Sequence, residues 1–146
     1  MTLSVRALRE DDYAQWRSLW DGYLAFYGCE LDESITESTW KRALTTGSGI
    51  FCRVATLDDR AIGFALCVLH PGTWSTEPLC YLEDLFVDAG HRGHGAGNML
   101  IGALQEESKR ARWSKLYWVT RADNPARKLY DRFCQADDYV RYRLPV

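Results

Sequence analysis

Apolar and polar residues alternate from Thr2 to Leu8, with Leu3, Val5 and Ala7 set against Ser4 and Arg6, which predicts a strand with one buried face. Glu10, Asp11 and Asp12 then place carboxylates where a helix start favours them. Tyr13, Trp16, Trp20, Tyr23, Leu24 and Tyr27 recur at helical spacing until Gly28, so a long amphipathic helix is expected here. Ser34-Ile-Thr-Glu37 fits a capping box opening a second helix through Trp40 and Leu44, ending before Gly47.

Three strand-like runs follow, Ile50 to Thr56, Ala61 to Leu69 and Leu79 to Val87. Leu57-Asp-Asp-Arg60 reads as a hairpin turn between the first two, and His70-Pro71-Gly72 ends the second. Ala96 to about Arg112 predicts a helix with Met99, Leu100, Ala103 and Leu104 on its apolar face. A strand at Leu116 to Thr120, a helix from Asn124-Pro125 to Phe133 and a last strand from Tyr139 to Leu144 complete the order βααβββαβαβ. That order is mixed α+β, with an antiparallel first part and a later βαβ unit.

Composition narrows the class. With 146 residues, 47% of them apolar and 26% charged, residues 1–146 form one globular domain able to build its own core. Disorder, collagen and small disulfide scaffolds are excluded. The longest apolar run, Ala61 to Leu69, contains Gly63 and falls far short of the ~20 residues a membrane span needs. The first ten residues lack the apolar stretch of a secretory signal, so a cytoplasmic location is expected. Cys29, Cys52, Cys67, Cys80 and Cys134 form an odd set with no CxxC pair, which points to packed thiols in a reducing compartment and to no metal site. A formal charge of −2 offers no basic field for nucleic acid.

The most informative stretch is Val87-Asp-Ala-Gly-His-Arg92-Gly93-His94-Gly95-Ala96-Gly97-Asn98, between a strand and a helix. Its glycines let a ligand approach the backbone, and the helix start adds unpaired N–H groups and a positive dipole end, a nest suited to phosphates. A ligand-free flexible connection is the alternative. No Lys-Ser/Thr follows, so it is not a Walker loop, and it lacks full G-x-G-x-x-G spacing. Upstream, Glu83 and Asp84 interrupt an apolar strand, and strand geometry lets only one of them face a given cleft. Downstream, Asn124 can cap a helix that turns Ala126, Leu129, Tyr130 and Phe133 inward. The first two helices carry Asp21, Glu30, Asp32, Glu33 and Glu37 among Trp16, Trp20, Tyr23, Tyr27 and Trp40, a mixture that suits a cationic ligand through ion pairing and cation–π attraction, or a core with a solvated acidic rim.

Arg92 to Gly97 matches the Q/R-x-x-G-x-G/A pattern, and together with Tyr81-Leu-Glu-Asp-Leu-Phe-Val87 and Asn124-Pro-Ala-Arg-Lys-Leu-Tyr130 it resembles the GCN5-related N-acetyltransferase (GNAT) superfamily over nearly the whole chain. The Tyr-Leu-Glu-Asp strand resembles the diamine (spermidine/spermine) acetyltransferase branch, and the helix Trp20 to Tyr27 is similar to bacterial relatives of yeast histone and polyamine acetyltransferases. The resemblance implies a mostly antiparallel central sheet whose fourth and fifth strands are parallel and splayed, and acetyl-CoA as co-substrate without a metal. It implies that the pyrophosphate lies on Arg92, Gly93, His94, Gly95, Ala96, Gly97 and Asn98, and the pantetheine on Leu85, Phe86 and Val87, with Asn124 nearby. His94 sits at a variable position and receives no catalytic role.

By the same resemblance Glu83 is the general base, directly or through water, and Tyr130 the acid that protonates the leaving thiolate. A main-chain N–H near Leu85 or Phe86 is the expected oxyanion donor. The acceptor is expected to be a small-molecule primary amine, a polyamine or lysine-like compound, against Trp20, Tyr23, Tyr27, Glu30 and Asp84. A non-catalytic acyl-CoA sensor and an acetyltransferase of protein lysine or N-terminal amines are the alternatives. The superfamily's usual Gly-Phe after the last helix is replaced by Phe133-Cys134-Gln135-Ala136, where Cys134 is a packed or a reactive thiol. A homodimer is implied, through Tyr139 to Leu144.

Overall fold

The computed structural model describes residues 1–146. Its strands are β1 (Leu3–Ala7), β2 (Ile50–Leu57), β3 (Arg60–His70), β4 (Leu79–Val87) and β5 (Lys115–Tyr117), and its helices α1 (Tyr13–Phe26), α2 (Glu33–Leu44), α3 (Ala96–Ala111) and α4 (Arg127–Tyr130). The five strands form one sheet in the order β1-β2-β3-β4-β5, antiparallel except for the β4–β5 pair.

β3 carries the centre of the core because both its faces are covered. Phe64 and Leu66 pack with Trp16, Leu19 and Trp20 of α1, whereas Ala65 and Cys67 pack with Leu100, Ile101 and Leu104 of α3. Residues Ala61 to Cys67 are accordingly all buried, which is why the run reads as continuously apolar. The β2–β3 turn forms as expected, with Asp58 (φ 48°) and Asp59 (φ 66°) both left-handed, the geometry of a tight turn that follows strand twist.

Two features separate β4 from β5 and open a cleft. The parallel pairing covers only Leu79, Cys80 and Tyr81 against Lys115, Leu116 and Tyr117, where Tyr117 meets His70 Nε2 at 2.7 Å and stacks on Tyr81 at 5.0 Å. Just beyond, Leu82 pairs with Cys67 and Asp84 with Leu66, which leaves Glu83 as the extra residue of a β-bulge. Bulges bend and twist the strand that carries them, so β4 turns away from β5 here.

Gly63 lets β4 lie close at the far end of this bend. A Cβ at Gly63 would stand 2.8 Å from the Phe86 carbonyl oxygen and 3.3 Å from Val87 Cα, both main chain. Gly63→Ala is therefore expected to cost about 1–3 kcal/mol by overpacking. Thermal unfolding should show Tm lower by several degrees; an unchanged Tm would mean that β4 yields freely.

Several expected boundaries differ. The cap of α2 is Asp32, whose carboxylate accepts from the Ser34 amide at 2.9 Å and from its hydroxyl at 2.6 Å, so Ser34 lies inside the helix and no Ser34–Glu37 box forms. On α3, Ile101 is buried in the place expected for Met99, which is 36% exposed. β5 stops at Tyr117 instead of Thr120, because its only partner strand has turned away. α4 is a single turn, and the stretch Tyr139 to Leu144 forms no strand in this chain: it lies exposed beyond the sheet. Cys52, Cys67 and Cys80 are buried, but Cys29 and Cys134 are exposed, so Cys134 is not a packed thiol.

Candidate active site

A cavity of about 600 Å³ fills the space between the diverging end of β4, the start of α3 and α4. Leu85, Phe86, Val87, Arg92, Gly93, Gly95, Ala96, Gly97, Asn98, Asn124 and Tyr130 all line it, together with Tyr27 just after α1. His94 alone among the residues expected at the glycine-rich turn stays off its wall.

The turn is held in shape by Gly93 (φ 82°) and Gly95 (φ 90°), left-handed conformations that side chains rarely adopt. The main-chain amides from Arg92 to Asn98 donate to no acceptor within the protein. Free amides at the N-terminus of a four-turn helix make an anion site with a favourable dipole. The Arg92 side chain closes the turn onto the strand, with Nε donating to the Val87 carbonyl at 2.9 Å and the guanidinium lying 5.5 Å from the Phe26 ring and 5.4 Å from the Phe86 ring. Lys128 and Arg132 add cationic groups to the same cavity. Sequence reasoning passed over these two, although a spacing of four would set them on one side of the helix predicted from Asn124 to Phe133.

Asn124 does not cap α4, whose N-cap is Ala126, but makes an Asx turn just ahead of it. Its Oδ1 accepts from the Ala126 amide at 3.0 Å while Nδ2 donates to Thr120 Oγ1 at 2.8 Å, which fixes the entry into α4. Tyr130 then reaches the cavity with its ring edge-on to Trp118 at 5.6 Å. Burial, then the neighbouring Tyr27, pushes its phenol up to about 12.

The two carboxylates of β4 have different surroundings. Asp84 turns towards α1, where it is half-buried and accepts from the Tyr23 hydroxyl at 2.6 Å. Burial pushes it up to about 6, against the pull of the Tyr23 hydrogen bond, with the Glu83 charge adding to the rise. Glu83 is exposed at the bulge and has no ion-pair or hydrogen-bond partner.

Since burial raises the folded-state pKa of Asp84 above the ordinary Asp value, its penalty against folding is absent at low pH. The penalty grows between about pH 4 and about pH 6 and is complete above that. Asp84→Asn should thus be more stable than the native chain at pH 8 and equal to it below pH 4. Paired unfolding curves at the two pH values measure this, and a pH-independent difference would contradict it.

The expected acceptor residues are not brought together as a group. Trp20 is 5% exposed, stacks on Trp16 at 5.4 Å and donates from Nε1 to Thr36 Oγ1 at 3.0 Å, so it belongs to the core and cannot touch an acceptor. Trp16 is likewise buried and Trp40 packs on the same core. Asp21 and Glu33 are bound to Arg17, and Asp32 caps α2. Tyr27 lines the cavity, Tyr23 holds Asp84, and Glu30 is exposed in the connection between α1 and α2. No three His, Cys, Asp or Glu side chains stand together as a metal site, and no helix is long and apolar enough to cross a membrane.

Known proteins carry the same architecture. D-amino-acid N-acetyltransferase HPA3 of Saccharomyces cerevisiae is 28% identical over 142 residues, covering 95% of this chain and 88% of that protein. The ribosomal-protein-alanine N-acetyltransferase of Brucella melitensis biovar Abortus 2308 superposes with a TM-score of 0.80 at 22% identity, covering 99% of this chain and all of the other (100%). AAC(6')-Iy, solved with the bisubstrate analog CoA-S-monomethyl-acetylneamine, superposes with a TM-score of 0.83 at 19% identity, with 100% of both chains covered. The model of the Acetyltransferase (GNAT) family matches residues 6–134, which span the strand bend, the glycine-rich turn and Tyr130: the chain belongs to that family of N-acetyltransferases.

Proposed function

We propose that the chain transfers the acetyl group of acetyl-CoA directly to a primary amine of a small molecule, a polyamine or lysine-like compound, and works as a homodimer. The observation that carries this reading is the continuity of the cavity, from the unpaired amides of residues 92–98, along the free edge of β4 at Leu85 to Val87, to Tyr130. The amides and the cations of Lys128 and Arg132 suit a diphosphate, and an open strand edge suits the amide-bearing pantetheine arm. Acetyl-CoA supplies the thioester-activated acetyl group.

The residues of this chain divide the remaining work. Glu83, through a water, takes a proton from the acceptor ammonium, which must become a free amine to attack. A main-chain N–H at Leu85 or Phe86 donates to the oxygen that gains charge. Tyr130 hands its proton to the departing sulfur while the attacking nitrogen gives up its second proton to solvent, and solvent reprotonates Tyr130. No side-chain nucleophile enters, so the acetyl group passes to nitrogen in a single exchange.

The acceptor class rests on Glu83, Asp84 and Glu30 at the β4 and α1–α2 side, and on the resemblance of the Tyr-Leu-Glu-Asp strand to that of diamine acetyltransferases. A panel of spermidine, spermine, lysine analogues, D-amino acids and histone-tail peptides, followed by release of free thiol from acetyl-CoA, tests it. Turnover is expected with the polyamines or lysine analogues. Turnover with D-amino acids or peptides alone would move the acceptor class, and binding of acetyl-CoA without turnover of any amine would leave an acyl-CoA sensor.

A further inference from the structure

The Tyr23 ring is locked among other rings, and its one polar atom is aimed at β4. Trp20 stacks on it at 5.7 Å, while Phe64, Phe86 and Tyr27 meet it edge-on at 5.9, 6.0 and 5.0 Å. Its hydroxyl donates to Asp84 Oδ1 at 2.6 Å, the length of a phenol bonded to an ionised carboxylate. Asp84 in turn stands next to Glu83 at the β4 bulge.

Nothing else around Asp84 favours its charge. Leu66 lies opposite it on β3, and the Cys52 thiol on β2, pushed up chiefly by burial, stays uncharged. Tyr81 and Glu83 flank it on β4, and Tyr27 sits beside Tyr23 on the α1 side. Burial and then the Glu83 charge oppose ionisation, and only the Tyr23 hydroxyl acts the other way. No cation pairs with this carboxyl.

From this arrangement we propose that Tyr23 is a positioning residue for the acetyl transfer: its hydroxyl holds Asp84 as a carboxylate beside Glu83, so that the second charge draws in a cationic acceptor and strengthens Glu83 as its base. This role rests on the reading of Glu83 as the base. A negative neighbour raises the proton affinity of a carboxylate and attracts an ammonium, and both effects need Asp84 ionised. Tyr23 itself touches no reacting atom.

The role has its own pH signature. A hydrogen bond to a carboxylate lowers its pKa by about one to two units, so Tyr23→Phe should let Asp84 titrate at about 7–8 instead of about 6. Below that window the carboxyl is protonated in both chains, and above it the carboxyl is ionised in both. Only within it does the native chain hold a charge that the variant lacks.

Steady-state kcat/KM with spermidine, taken from about pH 5 to about pH 9, reads the window. Tyr23→Phe keeps the ring in place, and it should fall about three- to ten-fold below the native chain between about pH 6 and about pH 8, with the gap closing on either side. Added to Asp84→Asn, it should change nothing further. A deficit equal at every pH, or a further loss on top of Asp84→Asn, would overturn the role, because the hydroxyl would then act through something other than the Asp84 charge.

Carbon NMR of the Asp84 carboxyl tests the same link without any acceptor. Its titration midpoint should lie at about 6 in the native chain and about one unit or more higher in Tyr23→Phe, and an unmoved midpoint would overturn the link. Failure of the base reading looks different: Glu83→Gln would keep its acid limb while the Asp84 midpoint still moved.

Discussion

Tyr130→Phe is expected to lower kcat about 100-fold while the KM for acetyl-CoA changes by less than about two-fold, the signature of a contact made in the transition state and not in the bound ground state. The phenol lies on the cavity wall next to Trp118, and its own hydroxyl has no partner among the protein's hydrogen bonds, so it is available to a ligand. Burial pushes it up to about 12, and at neutral pH it is fully protonated and ready to donate. A thiol titrates near ~8.5, so a full proton transfer from so weak an acid to a thiolate is uphill. The proton therefore moves only as charge builds on sulfur, which places the expected effect at the lower end of the general-acid range of ~10²–10⁴. Stopped-flow or steady-state thiol release with saturating amine measures it. Phe at 130 keeps the packing on Trp118, so a loss of stability cannot account for the change, and equal activity would remove Tyr130 from the acid role.

The glycine-rich turn and the apolar strands were legible because each depends on a local rule. Glycines before a helix start mean free amides, and a run such as Ala61 to Cys67 means a strand covered on both faces. What escaped depends on contacts between distant residues. Trp20 fits an acceptor-binding face and a core face equally well by spacing, and only the position of Phe64 and Thr36 across from it decides for the core. Asp32 and Ser34 are both good caps; the chain uses the earlier one, so the helix begins one residue before Ser34. The bulge at Glu83 leaves no mark in the pattern Leu82-Glu-Asp-Leu85, because it arises from the register against β3. Gly63 stands in the apolar run Ala61 to Leu69 without a sign of its role, yet its missing Cβ is what admits the Phe86 carbonyl. The tail shows the opposite error: its alternation is that of a strand, but a strand needs an edge, and within one chain that edge is left unused.

Glu83→Gln is expected to reduce kcat/KM at neutral pH about 100-fold and to flatten the acid limb of its pH profile, since that limb reports ionisation of the free enzyme's base. Two adjacent carboxylates compete for the role, and their surroundings separate them. One oxygen of Asp84 is taken by the Tyr23 hydroxyl at 2.6 Å, and its side chain is held in the aromatic layer of α1. Glu83 stands at the bulge where β4 parts from β5, exposed and with no protein partner, so it can take up a proton and pass it to solvent without breaking a structural bond. Asp84→Asn provides the comparison, because it removes the neighbouring charge while sparing Glu83. It should keep the acid limb and lose less than about ten-fold in kcat/KM, the scale of one charge acting at a distance in a partly solvated site. The opposite pattern, with the limb intact in Glu83→Gln and gone in Asp84→Asn, would transfer the base role to the carboxylate that Tyr23 holds, and the raised pKa of about 6 at Asp84 would then be the setting of the enzyme's acid limb.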